Sequence, residues 1–547
     1  MNAAFAPPDR EEALDRMART PLDVLVVGGG ITGAGIALDA MTRGYRTALV
    51  ERDDLASGTS SRSSKLVHGG IRYLSHGDLP MVVEGVRERD RLRRLAPHLV
   101  HPVPFAIPAP SSRRWAELKI GMLLYDAFAF GRNVHRHHGL DHGRFLRAAP
   151  GLVRGNDRGY RYVDCQTDDA RLTLTVALTA RRHGALIANH AEVVDLLESR
   201  GQVVGARVAD GLTGETLDVS ARWVVSATGV WADRVRRLAA DPGAPRLVPS
   251  RGVHLTFPRS LLPVNGAVSF PSGLDDGRMV FVVPWGGQVY VGTTDEVHTD
   301  PVDASSVGSG DAEYLTASIS SAFGVDVSVR DAIGAWAGLR PLMAGSDGLP
   351  PTDLSRRHAV VPGPPGLVTV TGGKLTTYRQ MAEDVVDELA RADGNSTRCH
   401  TKRLPLGTRD ARGVLSAVAV ARRLGYDDAV GRTLYARHGD AAPVVLEACR
   451  RWKEDSPLVP GLPYLTGEVR WSVRHELART LADVLDRRLR VSVRDRAAGG
   501  AGIAASVAVL AEELGWDPAR QEQEVAEYLR QVRTERGPVP LDDGWRS

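Results

Sequence analysis

Apolar residues recur along this 547-residue chain in distinct rhythms. Short unbroken runs, at 24–27, at 47–50 and within 221–233, read as buried strands, because a parallel strand covered on both faces needs no polar alternation. The stretch "FVVPWGGQVYVGTTDE" (281–296) predicts a hairpin turning at Gly286-Gly287. Helical spacing governs 366–392, where a strand and a Gly-Gly-Lys turn are followed by Met381, Val385, Val386 and Leu389 on one face. The same spacing places Trp115, Leu118, Met122 and Tyr125 together within 111–132, with Leu123, Leu124 and Phe128 widening the apolar face. "RADGNSTRCHTKRLPLGTRD" (391–410) is polar and turn-rich, a linker. Beyond it "VLSAVAVARRLG", "HELARTLADVLDRRL" and "QEQEVAEYLRQV" predict helices through 411–530, and "ERGPVPLDDGWRS" a loose tail.

The first strand carries the strongest local chemistry. "DVLVVGGGITGAGIALDAMTRGYRTALVERDD" (23–54) predicts strand, tight turn, helix and strand, with Glu51 at the end of the second strand. Gly28 permits the turn, Gly30 admits a pyrophosphate to the backbone, and Gly33 lets helix and strand pack closely. The helix N-terminus offers free N–H groups to phosphate. Glu51 lies 18 residues beyond Gly33, placed to accept ribose hydroxyls and to repel a 2′-phosphate, which disfavours NADP.

Three later segments discriminate between FAD and NAD. "ARWVVSATGVWAD" (221–233), the hairpin at 281–296 and "GLVTVTGGKLTTYRQMAEDVVDELARA" (366–392) each end a strand in small residues. The helix that follows Thr376-Thr377 aims its positive dipole end at the same region, where a reduced flavin needs stabilisation and a nicotinamide does not. Segments so far apart in sequence suit an extended FAD; the competing reading is three ordinary sheet turns.

Composition changes this picture only at its edges. The length allows about three domains. With 43% apolar and 25% charged residues the chain is an ordinary globular one, and a net charge of +3 gives no global field for nucleic acid. Cys165, Cys399 and Cys449 lack metal-ligand spacing and cannot all pair, which fits a reducing compartment and predicts no metal site. Neither a signal peptide nor a transmembrane run of about 18 apolar residues is present, so a cytoplasmic protein is expected. Only Lys65, Lys119, Lys374, Lys402 and Lys453 are lysines among 69 basic residues, so a lysine here marks a place that needs one. No Ser-His-Asp arrangement with a nucleophile elbow and no HExxH supports hydrolysis.

"VVGGGITGAGIALDA", "SSRSSKLVHGGIRYL" (60–74), "YVDCQTDDARL", "SATGVWAD", "VPWGGQVYVGTTD", "AGLRPL" and "TGGKLTTYRQMAED" resemble, in this order, the FAD-dependent glycerol-3-phosphate dehydrogenases. "EVRWSVRHELARTLADVLDRRLRV" (468–491) is similar to that family's helical C-terminal domain. The resemblance runs from about residue 20 to about residue 530. It implies an α/β fold: a Rossmann-type FAD-binding domain of the amino-acid-oxidase kind (20–100, 160–245, 360–395), an interleaved mixed-sheet substrate domain (101–159, 246–359) and an all-helical C-terminal domain (405–535). It also implies oxidation of sn-glycerol 3-phosphate to dihydroxyacetone phosphate, with electrons passed to membrane quinone, and it leaves room for a homodimer. An oxygen-using oxidase on the same fold is the alternative. The lack of a long polar insertion favours the dehydrogenase.

Such chemistry needs an anchor for the phosphate and a base for the hydroxyl proton, and binding the remote phosphate positions the reacting carbon. By resemblance, Arg72, Arg340, Arg356 and Lys374 surround the substrate, with Arg357 a rival to Arg356 in register and Tyr73 a further hydrogen-bonding candidate. Arg340 sits among apolar neighbours, where an internal salt bridge is the competing reading. His68 is the one histidine inside a motif, a general base or a structural group. Arg340, Lys374 and His68 form the expected reaction centre. The expected FAD cradle comprises Gly28, Gly29, Gly30, Thr32, Gly33, Glu51, Arg52, Thr59, Ser60, Ser63, Ser64, Lys65, Leu66, Ala227, Gly229, Gly373, Lys374 and Leu375. A quinone-linked enzyme without a transmembrane helix needs a docking surface. The basic, amphipathic 111–132, with Arg113, Arg114 and Lys119, is the candidate for an anionic membrane surface on the inner face of the cell membrane; a core helix with a basic end is the alternative.

Overall fold

The structure is a computed structural model and describes residues 9–71, 78–129, 131–153, 158–239, 247–274, 276–343, 357–408 and 412–543. Two sheets organise it. In the first, the strand Leu22–Val27 lies between Thr47–Val50 and Thr216–Ser226, parallel to both, and Leu367–Thr371 extends the parallel set. Val24, Leu25 and Val26 are fully buried, because helices cover one face and an antiparallel layer built from Ala191–Ser199 and Gln202–Asp210 covers part of the other. On the helical side Ile31–Thr42 packs against Asp169–Arg182 and Tyr378–Asp393.

The second sheet is mixed. Its longest ladder pairs Leu247–Pro258 with Gly334–Met343, placing Ser250 opposite Arg340. The hairpin Met279–Trp285/Gln288–Gly292 forms as the Gly286-Gly287 turn predicts. Arg158–Gln166 also belongs to this sheet and pairs with Leu66–Val67, so the chain crosses from one sheet to the other within 59–68. The crossing is clamped from the second sheet: Trp336 Nε1 donates to the Ser63 carbonyl at 3.1 Å and Tyr290 OH to the Ser64 carbonyl at 2.9 Å.

Helices Gly413–Arg423, Asp428–His438, Ala442–Trp452, Gly467–Glu476, Gly500–Leu514 and Pro518–Arg536 build the C-terminal part. The run 475–489, expected to be one helix, is broken. The helix ends at Leu477 with φ 61°, and the chain resumes in a π-helical turn, Asp483–Arg488. Asp483 accounts for the break, since its carboxylate accepts the backbone N–H groups of Arg479 and Thr480 at 2.8 and 3.1 Å. The turn aims Arg487 and Arg488 at the buried Asp54 carboxylate just past Glu51, tying the helical part to the nucleotide-binding unit.

The helix Ser112–Phe128 forms as predicted, with Met122 and Tyr125 buried. Leu123 and Leu124, together with Ile120, face outward at 52%, 44% and 60% exposure. No helix among the described residues is long and apolar enough to cross a membrane.

Candidate functional site

A cleft opens where the parallel strands end. One end is the glycine turn. Gly28 has φ +109°, and a Cβ there would lie 2.7 Å from the Ala227 carbonyl oxygen; a Cβ on Gly33 would lie 1.9 Å from the Gly28 carbonyl oxygen. Side chains at these two places would close the cradle. The N-cap residue of the helix that starts at Ile31 is Gly30, which has no side chain to cap it; Ser60 Oγ accepts the Ile31 N–H at 2.9 Å, and the N–H groups that follow in the first turn are left for an anion. Glu51 accepts from Gly29 N at 2.5 Å and Asp53 N at 3.0 Å, and burial pushes its carboxyl above the usual range. A carboxylate fixed by backbone donors at the strand end is the ribose acceptor the motif calls for.

The far end is the turn Gly372-Gly373-Lys374, both glycines at positive φ, followed by a 3₁₀ turn, Leu375–Thr377, and the helix Tyr378–Asp393. Lys374 and Leu375 line the cleft. His68 arrives from the other sheet: its backbone N–H donates to Thr376 Oγ1 at 3.2 Å, joining segments 308 positions apart. A long cleft with a phosphate cradle and ribose acceptor at one end and a cationic turn at the other fits FAD.

The expected cofactor residues divide into two groups. Gly28, Gly30, Thr32, Glu51, Arg52, Thr59, Ser60, Ala227, Gly229, Gly373, Lys374 and Leu375 line the cleft, whereas Gly29, Gly33, Ser63, Ser64, Lys65 and Leu66 do not. Gly29 and Gly33 shape the turn from behind. The other four turn their polar groups to the helix Asp169–Arg182 and to the second sheet. Ser63 Oγ donates to Asp169 at 2.7 Å, Ser64 Oγ meets His254 Nε2 at 2.9 Å, and Leu66 starts the strand on Gln166. Lys65 is fully buried, φ 54°, with its ammonium 2.8 Å from Asp169 and 4.5 Å from the Trp336 ring centre. Burial and the Arg490 guanidinium pull it down to about 8, against the Asp169 carboxylate. The serine-rich stretch is therefore a clamp beneath the cofactor cleft more than a lining of it.

Arg340 is a quarter exposed and lies across Gly252. Its guanidinium donates to Asp295 Oδ1 at 3.1 Å, Ser250 Oγ at 3.3 Å, Thr293 Oγ1 at 3.1 Å and the Thr294 carbonyl at 3.2 Å. The internal salt bridge is thus present, on a side chain that still reaches solvent. Arg72, Tyr73 and Arg356 lie outside the described residues. Arg357, the rival of Arg356, pairs at the surface with Asp78 at 2.8 Å.

Several residues here escape sequence reasoning. Trp231 hydrogen-bonds Asp303 at 2.7 Å and stacks under Arg52, which itself reaches Asp303 at 3.0 Å, so a bridge spans the adenosine side of the cleft. Ala191, Glu192 and Val193 line the same side. His254 stacks on Trp336 at 4.9 Å, and burial, then Arg340 and Lys65, hold it far below its usual range, so it is neutral. A polar residue inside the apolar run "VHLTF" is the one signal that could have found it. Asp54, His190 and Asp483 bring one ligand atom each within 4.8 Å of one another, yet Arg487 reaches both carboxylates at 2.6 Å and so already balances them.

Known proteins resemble this chain in sequence and fold. The FAD dependent oxidoreductase family matches residues 23–379, and the C-terminal domain of alpha-glycerophosphate oxidase matches 399–521. A glycerol-3-phosphate dehydrogenase of Mycobacterium leprae is 37% identical over 543 residues, spanning 97% of this chain and 92% of that one. The mitochondrial glycerol-3-phosphate dehydrogenase of Mus musculus is 36% identical over 558 residues, 97% of this chain and 76% of its own. Among solved structures, the glycerol-3-phosphate dehydrogenase of Bacillus halodurans complexed with FAD superposes with a TM-score of 0.83 at 30% identity, covering 98% of this chain and 100% of that one. L-alpha-glycerophosphate oxidase of Mycoplasma pneumoniae, at 20% identity, TM-score 0.55 and 68% of this chain, shares the fold alone. A dinucleotide cleft, a cationic turn at its far end and full-length relatives of one kind agree: the chain belongs to the FAD-dependent glycerol-3-phosphate dehydrogenase family.

Proposed function

We propose that this enzyme oxidises sn-glycerol 3-phosphate to dihydroxyacetone phosphate at the Lys374 end of the cleft. FAD, held by the Gly28–Gly33 turn, Glu51 and the Gly372–Leu375 turn, supplies the hydride acceptor. The observation that supports the reading is the hydrogen bond from the His68 backbone N–H to Thr376 Oγ1, which brings the His68 backbone beside the turn whose Lys374 and Leu375 line the cleft.

The protein's own part is to bind and to move one proton. Lys374 and Arg340 hold the phosphate; Asp295 and Thr293 fix the plane of the Arg340 guanidinium, so its fork is oriented before substrate arrives. His68 takes the proton of the secondary hydroxyl, the general-base role an imidazole can fill. Energy from the remote phosphate holds the reacting carbon in place.

Electrons then leave to a membrane quinone, with the enzyme lying on the inner face of the cell membrane through the helix Ser112–Phe128. Its outward Ile120, Leu123 and Leu124 share the helix with the exposed Arg113, Arg114 and Lys119, a combination of apolar and basic surface that suits anionic lipid. Full-length similarity to proteins named glycerol-3-phosphate dehydrogenase favours the dehydrogenase over the oxidase.

Anaerobic addition of glycerol 3-phosphate to the FAD-loaded enzyme is the test. The flavin absorbance bleaches and recovers when a soluble quinone is added. Absence of bleaching refutes the substrate, and recovery in air as fast as with quinone favours the oxidase.

A further inference from the structure

His68 is flanked by two peptide planes, and each is pinned by a different part of the fold. The plane before it carries the His68 N–H, which donates to Thr376 Oγ1 at 3.2 Å. The plane after it carries the Gly69 N–H, which donates to Asp164 Oδ1 at 3.1 Å. Fixing both planes fixes φ and ψ of His68 and hence the direction in which its side chain leaves the backbone.

Asp164 is 2% exposed and does not line the cofactor cleft; it lies on the strand Arg158–Gln166. Its Oδ1 also receives Arg89 Nη1 at 2.5 Å and Tyr125 OH at 3.3 Å, and Arg89 donates to the phenol oxygen at 2.9 Å. Arg89 is 0% exposed, and its other Nη donates to Asn133 Oδ1 at 2.6 Å. Asn133 in turn donates to Asp126 at 2.6 Å, and Asp126 meets His137 Nδ1 at 2.8 Å. The chain of bonds thus begins at the Gly69 peptide and ends near the surface. The turn is also pressed onto the phenol: a Cβ on Gly69 would lie 2.1 Å from Tyr125 OH and 2.6 Å from Val86 Cγ2.

A buried ion pair is a costly way to fill space, since well-packed apolar residues often stabilise as much or more. This one sits where a buried backbone N–H beside His68 needs an acceptor that cannot drift. We propose that Asp164, held in place by Arg89 and Tyr125, is a positioning residue that sets the orientation of His68 for proton transfer. The proposal rests on the reading that His68 accepts the substrate proton.

The decisive comparison uses three FAD-loaded variants. Arg89→Met/Asp164→Leu removes the pair together and leaves Gly69 without its acceptor. Arg89→Met/Asp164→Asn removes the charge and keeps an acceptor oxygen. His68→Gln removes the base. The rate of flavin reduction at saturating glycerol 3-phosphate should fall about a hundredfold in the Leu variant, the cost of a reacting group displaced by about 1 Å, with KM changed less than about threefold. The Asn variant should recover to within about fivefold of wild type, because the acceptor is restored.

Turnover per bound flavin at the wild-type value in the Leu variant overturns the proposal and leaves Asp164 a purely structural residue. If His68→Gln is impaired in that case, the reading of His68 as base survives alone. A wild-type rate in His68→Gln overturns both. Should the Leu variant not fold, Tyr125→Phe, which leaves the ion pair intact, should still slow flavin reduction by at least about threefold, and a wild-type rate there overturns the proposal.

Discussion

Arg340 and Asp295 form an ion pair at 3.1 Å, and the same guanidinium takes two threonine oxygens and a serine hydroxyl. Such a side chain is oriented rather than neutralised. Arg340→Ala should lower kcat/KM for glycerol 3-phosphate at least about thirtyfold, the effect of about 2 kcal/mol for truncating one member of a hydrogen-bonded charge contact. The ratio of FAD to protein should not change. Arg340→Lys should fall between, because an ammonium keeps the charge but cannot make four planar contacts. Equal loss of FAD and turnover in Arg340→Ala would place the residue in the fold instead of the substrate pocket.

Much of this was legible in the sequence because its signals are local. A glycine turn between two strands, an acid at the end of the second, and a Gly-Gly-Lys turn ahead of an amphipathic helix each announce their geometry within about thirty residues. What the sequence hid is long-range. Nothing near Ser63, Ser64 or Lys65 reveals that Asp169, His254 and Trp336 take up their polar groups, so a cofactor lining and a clamp behind it read alike. The break at Leu477 is hidden for a related reason: helical periodicity continues through it, and only Asp483 bending back to Arg479 and Thr480 ends the helix.

Lys65 gives the clamp a measurable strength. Its ammonium and the Asp169 carboxylate are both fully buried. Lys65→Met leaves that carboxylate with the Ser63 hydroxyl and N–H, the Ala170 N–H and, as its nearest cation, the more distant Arg490 at 3.9 Å. Urea unfolding should show a loss of about 3–5 kcal/mol, typical of breaking a buried pair from one side. Lys65→Met/Asp169→Leu should regain a large part of it, since no orphan charge remains. A double variant no more stable than the single one would show that Asp169 acts through its other partners.

The helix Ser112–Phe128 sends Met122 and Tyr125 inward and leaves Ile120, Leu123 and Leu124 on the surface. Arg113 and Arg114 pair with Glu117 at the surface, an arrangement that contributes little and releases both for lipid headgroups. The enzyme should float with vesicles containing phosphatidylglycerol and less with pure phosphatidylcholine. Ile120→Asp/Leu123→Asp should abolish flotation without altering reduction by glycerol 3-phosphate, because neither side chain packs in the core. Flotation of that variant at the wild-type level would move the docking surface elsewhere.

His98 makes the junction with the C-terminal helices sensitive to acid. The ring lies 6.0 Å from that of Tyr435, and a Cβ on Gly407 would lie 3.2 Å from it. Burial, then the neighbouring Arg171 and His438, lower its pKa to about 3 from 6.5. The unfolded chain binds a proton at His98 below about 6.5, and the folded chain does so only near 3. Stability is therefore complete above 6.5 and falls as the pH is lowered towards 3. For this one group the loss between pH 7 and pH 5 is about 2 kcal/mol. His98→Phe, which keeps an aromatic ring and removes the titration, should flatten the difference between urea midpoints at pH 7 and pH 5 by that amount. Parallel shifts in wild type and variant would mean that the acid sensitivity arises at other groups, with His98 protonated only after the junction has opened.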